Sequence, residues 1–115
     1  MKLRELQKEF VKKGVKYTLL QKEIWDTVDN DGKLKKDGYV IYRCFNEECK
    51  DTYYEVFRYR IGKPHPMDTG DWDMVELYPS NEQFGILAWS CSDLNRVKYV
   101  MQKHFDIDLT YNTEI

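Results

Sequence analysis

Histidine is nearly absent from this chain, and its scarcity removes several chemistries at once. Only His65 and His104 occur among 115 residues. Histidine is the commonest metal ligand and a frequent general base, so an enzyme of either kind has few residues to use. The sequence also lacks a G-x-S-x-G elbow, an H-E-x-x-H motif, a phosphate-binding loop and a dinucleotide fingerprint. We therefore expect a protein that is not an enzyme and that uses no cofactor or metal.

Long apolar runs are missing as well. No stretch approaches the ~20 apolar residues that cross a bilayer, and the charged segment 1–14 does not resemble a secretory leader. The net charge is only −2, which does not predict a nucleic-acid or membrane partner. The three cysteines are an odd number without a C-x-x-C pair, a pattern typical of reduced thiols. These features predict a cytoplasmic protein without membrane contact.

Aromatic residues, by contrast, are plentiful, with nine Tyr, five Phe and three Trp. Between residues 39 and 90 they fall in four short segments of alternating pattern, separated by Gly, Pro, Asp and Asn. A period of two between such breaks indicates antiparallel strands. The predicted strands are Gly38–Phe45, Thr52–Ile61, Trp72–Tyr78 and Phe84–Ser90.

The first part of the chain predicts a helix followed by a further strand. Leu3, Leu6 and Phe10 lie at i, i+3 and i+7, which indicates an amphipathic helix over residues 2–13 that ends at Gly14. Residues 15–27 fit either a helix that begins at a Thr-x-x-Gln capping box or a strand. We prefer the strand, because the turn DNDG at 29–32 then completes a hairpin.

The last part predicts a second helix. It begins at a capping box formed by Ser90 and Asp93, or directly at Ser92. Its apolar face would contain Leu94, Val97, Val100, Met101 and Phe105. Residues 106–115 are polar again and are predicted to fray or to add an edge strand.

The whole pattern predicts one α+β domain over residues 1–115, in the order α-β-β-β-β-β-α. In this prediction a five-stranded antiparallel meander carries the N-terminal and C-terminal helices on one face. The strands have apolar and aromatic side chains in both phases, so the other face would be left open. We expect that open face to contact another protein or a second copy of the chain.

Strand phase gives the candidate binding residues. Tyr54, Arg58 and Arg60 alternate along the third strand, and Tyr42 is expected to share their face from the neighbouring strand. Tyr99 lies on the predicted outer side of the last helix. Tyr and Arg are the residue types that dominate binding hot spots. The predicted set is Tyr42, Tyr54, Arg58, Arg60 and Tyr99.

Nucleic-acid binding is an alternative function. A face of Tyr and Arg can stack bases and neutralise phosphates, and the predicted first helix would carry a basic stripe of Arg4, Lys8 and Lys12. The acidic overall balance makes a nucleic acid a weaker prediction than a protein partner.

A metal-dependent enzyme at the loop around His65 is a second alternative. Prolines flank this histidine, and three acids follow it: Asp68, Asp71 and Asp73. Their spacing matches no known set of metal ligands. A zinc site would require His65 to meet the three cysteines. Packing within a strand accounts for Cys44 more simply, so the sequence predicts no metal site.

In size and composition the chain resembles accessory proteins of phages and other mobile elements, which are often small, rich in Lys, Tyr and Asp, and without catalytic motifs. That resemblance implies an inhibitor or adaptor that occupies a larger macromolecule. The leading hypothesis is therefore a non-enzymatic, cytoplasmic protein-interaction domain.

Overall fold

The alternating segments form strands, as their period of two predicts. The computed structural model describes residues 2–67 and 70–109. In chain order the strands are β1 (Leu3–Arg4), β2 (Glu9–Lys12), β3 (Val15–Val28), β4 (Leu34–Asn46), β5 (Asp51–Arg58), β6 (Ile61–Gly62), β7 (Met74–Glu76) and β8 (Ala88–Cys91). Helix α1 (Leu94–Phe105) follows, and a 3-10 turn (Asn81–Gln83) precedes β8.

The strands form two sheets. The main sheet has the order β2-β3-β4-β5-β8 and is antiparallel throughout. The small sheet has the order β1-β7-β6, with β1 parallel to β7. The α+β class and the five-stranded antiparallel sheet are confirmed. One predicted member of the sheet is wrong, because the predicted strand Trp72–Tyr78 contributes only β7, which joins the small sheet instead.

The predicted N-terminal helix is not seen, and a hairpin takes its place. Lys13 and Gly14 both have positive φ, 52° and 77°, which is the geometry of a type I′ turn between two strands. The turn aligns Phe10 with Tyr17 and Lys12 with Val15 across β2 and β3. Cross-strand pairing thus overrides the helical spacing of the apolar residues. Without that helix, the predicted basic stripe loses the helical spacing that defined it.

The segment for which the sequence allows a helix or a strand forms strand β3. Residues 15–27 are extended, as preferred, and the strand continues to Val28. The register with β4 shifts between Leu19 and Gln21, so Leu20 is an extra residue at a bulge. Leu19 and Leu20 pack against opposite faces of the main sheet, as neighbouring residues of a strand do. The hairpin turn after β3 is held by Asp29, whose carboxylate accepts hydrogen bonds from the backbone N–H groups of Asp31 and Lys33, both at 2.9 Å.

Both faces of the main sheet are covered. On one face, a helix-side core joins the sheet to α1 through the buried residues Tyr39, Ile41, Tyr54, Val56, Cys91, Val97, Val100 and Met101. On the other, a second core buries Leu6, Val40, Tyr42, Cys44, Phe57, Tyr59 and Ala88. The expectation of an open face is therefore wrong, because the N-terminal segment packs there in extended form and β2 adds to its edge.

Helix α1 has the predicted apolar face but a different start. Asp93 is the N-cap, and its carboxylate accepts a hydrogen bond from the Arg96 N–H at 2.8 Å. Ser90 lies in β8, so the predicted capping box does not form. At the other end, Asp106 adopts a left-handed conformation and closes the helix. Leu109 is buried in the helix-side core, which corrects the prediction of a loose tail for residues 106–109; residues 110–115 lie outside the described residues.

Candidate binding site

An aromatic cleft of about 310 Å³ opens over the second core, on the face of the main sheet opposite α1. Strands β3, β4 and β5 form its floor, and β2 and the segment that follows β7 form its walls. Six aromatic side chains line it: Phe10, Tyr17, Tyr42, Phe57, Tyr78 and Phe84. Among the other lining residues, Lys12 and Glu55 carry charge. Clefts of this size and lining are typical of ligand sites.

Strand register places the floor residues on one face. Residues paired directly across neighbouring strands point to the same side of a sheet. Tyr17 pairs with Cys44 in β4, and Tyr42 pairs with Glu55 in β5. Because side chains alternate along a strand, Phe57 lies on the same face as Glu55.

The rings of the cleft pack against one another in both stacked and edge-to-face pairs. Phe10 stacks on Tyr17, with ring centroids 4.5 Å apart and planes 5° apart. Phe10 stands nearly perpendicular to Tyr42, at 77°, and to Tyr78, at 74°. Edge-to-face contacts of this kind are favourable for aromatic pairs. The cleft consequently presents ring faces and ring edges from several directions.

Hydrogen bonds hold the walls of the cleft in place. The Tyr42 hydroxyl donates to the Gln7 carbonyl oxygen at 2.6 Å, and the Gln7 N–H donates to the Tyr78 hydroxyl at 3.0 Å. Burial, followed by the hydrogen bond with Tyr78, raises the pKa of Tyr42 well above its ordinary value. The Tyr42 hydroxyl therefore stays protonated and acts as a fixed donor that ties β4 to the N-terminal segment.

Glu55 is the unusual member of the site. Its carboxylate is partly buried among the rings, and within the described part of the chain it makes no hydrogen bond or salt bridge. Burial raises the pKa of Glu55, and the positive charge of Lys12 only partly opposes this. A desolvated acid without a partner in a cleft is a candidate functional group.

We expect the substitution Glu55→Gln to stabilise the fold at pH 7. When the pKa of a carboxyl is higher in the folded state, the free energy of unfolding falls as pH rises from the unfolded pKa, about 4.3, to the folded value. A neutral amide avoids that loss, so the free energy of unfolding should rise by about 0.5–1 kcal/mol. Urea denaturation at pH 7 and at pH 3.5 measures it, and the difference should shrink at the lower pH.

The matched control is Glu47→Gln, which neutralises an exposed acid. It should leave the unfolding free energy within about 0.5 kcal/mol of wild type at both pH values. A loss of stability in Glu55→Gln at pH 7 would contradict our interpretation, because it would mean that the folded protein stabilises the Glu55 carboxylate.

Neither buried cysteine is an activated nucleophile. Burial, with the charge of Glu55 second, raises the pKa of the Cys44 thiol to about 12. Burial likewise raises the pKa of Cys91 to about 11. Both thiols are therefore protonated at neutral pH and pack as small apolar groups.

The predicted binding residues do not form one surface. Tyr42 lies on the second-core face, and Tyr54 lies in the helix-side core, on the opposite side of the sheet. The prediction that they share a face is wrong, because Tyr42 pairs with Glu55, whose side chain points away from that of Tyr54. Tyr42 is the predicted residue that lines the aromatic cleft.

The remaining predicted residues lie elsewhere. Arg58 donates to both oxygens of Asp37 at 2.8 Å and covers the Phe105 ring, so it fastens α1 to the sheet. Arg60 donates to the Gln83 amide oxygen at 2.8 Å. Tyr99 is 48% exposed on α1, with two basic side chains over its ring: Arg96 and Lys103. These three residues belong to separate parts of the molecule.

Ten of the eleven residues that line the cleft are absent from the predicted set, among them Phe10, Tyr17, Glu55 and Tyr78. The helix predicted for residues 2–13 concealed the strand phase of Phe10. A signal was available for Glu55, since it is the acid in the stretch Tyr53–Phe57 that alternates in phase with two aromatic residues. An acid in a buried phase points either to an ion pair or to a site.

The hypothetical metal sites do not assemble from the residues that the structure describes. No group of three His, Cys, Asp or Glu side chains suited to a metal ion occurs among them. Cys44 and Cys91 lie in different cores, and Cys49 is exposed in the turn between β4 and β5. The Nδ1 atom of His65 accepts a hydrogen bond from the Met67 N–H at 3.1 Å. Asp68, one of the acids near His65, lies outside the described residues.

Comparisons with protein-family models, with curated proteins and with solved structures found no match for this chain. In the described ranges 2–67 and 70–109, no helix is long and apolar enough to cross a membrane.

Proposed function

We propose that this protein is a non-enzymatic, cytoplasmic binding domain whose recognition element is the aromatic cleft. The observation that carries the proposal is the combination of six aromatic rings with an unpartnered carboxylate, Glu55, in one concave site. Such a site binds by burying a projecting group of its partner. The partner is another protein or a second copy of the chain, and membrane contact plays no part.

The chemistry of the described residues supports binding over catalysis. The buried thiols are protonated, and the Tyr42 hydroxyl is committed to the Gln7 carbonyl. Reduced thiols fit the cytoplasm. A role as an accessory or inhibitor protein of a phage or mobile element stays a prediction from composition.

The nucleic-acid alternative has weaker support than the cleft. Its Tyr/Arg surface requires Tyr42 and Tyr54 on one face, whereas the strand register separates them. Arg58 is occupied by Asp37 and by the carbonyl of His104. Affinity for single-stranded DNA that falls steeply between 50 and 200 mM salt, by about tenfold or more, would revive this alternative.

Blocking the cleft tests the proposed function. Asn81 is exposed in the 3-10 turn and lines the cleft, so Asn81→Trp should place an indole at its mouth without disturbing either core. We expect affinity capture from the native host, read by mass spectrometry, to recover a partner with wild type and to lose at least nine-tenths of it with Asn81→Trp.

The matched control is Glu82→Trp, the neighbouring exposed position of the same turn, which does not line the cleft. This variant should capture the partner as wild type does. Sedimentation of the wild-type protein distinguishes a second copy from a different partner. Equal capture by wild type and Asn81→Trp would show that the cleft is not the contact site.

A further inference from the structure

The ring geometry of the cleft suits a cationic group. A cation is attracted to the face of an aromatic ring when it lies within about 6 Å of the ring centroid. The rings of Tyr17 and Tyr42 are in edge-to-face contact, with centroids 6.3 Å apart and planes at 81°, and Phe10 packs against both rings. A group that lies in the cleft beside this cluster is near several rings at once.

The charge of the cleft also favours a cationic group. Glu55 brings a carboxylate to the ring-lined floor, and no protein donor in the described ranges neutralises it. A bound cation would supply the missing counter-ion and would lower the raised pKa of this acid. An anionic guest, or a neutral guest without N–H or O–H groups, would leave the carboxylate unsatisfied.

Lys12 is the basic residue that lines the cleft, and its charge competes with a bound cation for the Glu55 carboxylate. It lines the same cleft and favours the ionised form of Glu55 through space, yet no salt bridge within 4.0 Å joins the two in the described structure. Lys12 is exposed at the end of β2, next to the hairpin turn. A guest can therefore bind the Glu55 carboxylate without first breaking an ion pair with Lys12.

The aromatic lining selects among cations, since six of the eleven residues that line the cleft are Phe or Tyr. A primary ammonium has three N–H donors that need acceptors when buried. A methylated ammonium has few or no donors to satisfy and gains instead from ring contact. We propose that the aromatic cleft binds a methylated alkylammonium group, with Glu55 as its counter-ion and Phe10, Tyr17 and Tyr42 as its ring contacts.

This inference rests on the proposed function, since it names the group that the same cleft accepts. Its test uses choline and its uncharged analogue 3,3-dimethyl-1-butanol, which has the same shape without the charge. NMR titration of the tyrosine ring signals of the full chain should show choline binding at least tenfold more tightly than the alcohol. Equal affinity for the two compounds, or no binding of choline at 50 mM, would overturn the inference.

Two substitutions make opposite predictions. Glu55→Gln should weaken choline binding about tenfold or more, and Lys12→Met should strengthen it about two- to threefold because it removes the competing charge. An anion site would show the reverse order. Unchanged affinity in Glu55→Gln would overturn the role of the carboxylate, and the NMR spectrum of each variant establishes that it is folded.

A further pair of probes separates the sources of the cation. N-acetyl-trimethyllysine amide that binds more tightly than choline would identify a modified lysine side chain of a protein, and the reverse order would identify a small free cation. If Asn81→Trp abolishes partner capture while no cation binds, the cation inference fails and the proposed binding function survives. If choline binds but capture is unaffected, the proposed protein partner fails instead.

Discussion

Replacing Glu76 with glutamine should lower the free energy of unfolding by about 3–5 kcal/mol at pH 7, the usual result of breaking a buried charge pair. The Glu76 side chain is only 1% exposed. Its Oε1 atom accepts from the Leu6 N–H at 2.8 Å and from the Lys22 ammonium at 2.9 Å, and its Oε2 atom accepts from the Tyr59 hydroxyl. Every one of these partners is a donor.

An amide at this position cannot accept on both sides. One end of the glutamine side chain would present N–H groups either to Tyr59 or to Lys22 and the Leu6 N–H, and the ammonium would lose its buried counter-ion. The three partners belong to the N-terminal segment, to β3 and to the link between β5 and β6. Their release would therefore loosen the small sheet from the main sheet. Urea denaturation measures the loss.

The control is Glu5→Gln, which removes the other carboxylate bound to Lys22, at 3.2 Å. The Glu5 side chain is 71% exposed, so this change should cost about 0.5 kcal/mol, as surface pairs do. The two variants lose the same charge from the same lysine and differ in burial. If Glu76→Gln is as stable as Glu5→Gln, the buried network does not hold the sheets together.

The pH dependence of the free energy of unfolding is a second test of the role of the Glu76 carboxylate. Burial alone would raise its pKa, but the hydrogen bonds from Tyr59, Lys22 and the Leu6 N–H outweigh burial, and the pKa is lowered in the folded state. Stability from such a group is present above the unfolded pKa, about 4.3, and is lost as pH falls through the folded value. Wild type should lose this contribution to the free energy of unfolding as the pH falls, whereas Glu76→Gln, which has no carboxylate at this position, should not.

The sequence predicts the main sheet and α1 well because their patterns are local. Alternation in Tyr39–Phe45 and in Thr52–Phe57 identifies β4 and β5, and the apolar spacing after Asp93 identifies the helix. In both cases each residue's environment is set by its close neighbours along the chain. Four of the five strands of the main sheet (β3, β4, β5 and β8) and the C-terminal helix follow directly.

The N-terminal segment fails for the opposite reason. The apolar spacing from Leu3 to Phe10 is compatible with a helix, and what decides against it is distant in sequence: Phe10 pairs with Tyr17, and β1 pairs with β7. Leu6 is fixed by a hydrogen bond to a carboxylate 70 residues away. Local spacing carries no information on such partners.

The aromatic cleft was hidden by the same error. A helix over residues 2–13 leaves one sheet face open, so Tyr42 and Tyr54 look like exposed binding residues. In the structure the N-terminal segment is extended and packs on that face, which therefore forms the second core. The part of the face that stays concave is the aromatic cleft. Tyr42 was found because its type is typical of binding sites, and Glu55 was missed because its environment depends on β2.

Replacing Gly38 with alanine should destabilise the fold by about 3 kcal/mol, at the upper end of the usual cost of overpacking. A β-carbon at this position would lie 2.1 Å from the Glu23 carbonyl oxygen and 3.1 Å from the Ile24 α-carbon. Both atoms belong to the backbone of β3, so no rotamer change relieves the clash. The two longest strands must move apart where Gly38 pairs with Ile24.

That separation should spread to neighbouring contacts. The Gly38 carbonyl accepts from the Tyr59 N–H at 2.9 Å, and its N–H donates to Asp37, the partner of Arg58. The control is Gly14→Ala, where an added β-carbon meets no atom within 4 Å and the cost is the left-handed backbone, about 1 kcal/mol. Urea denaturation of both variants compares them. A cost in Gly38→Ala no greater than in Gly14→Ala would mean that β3 and β4 are free to separate there, contrary to the tight contact that we describe.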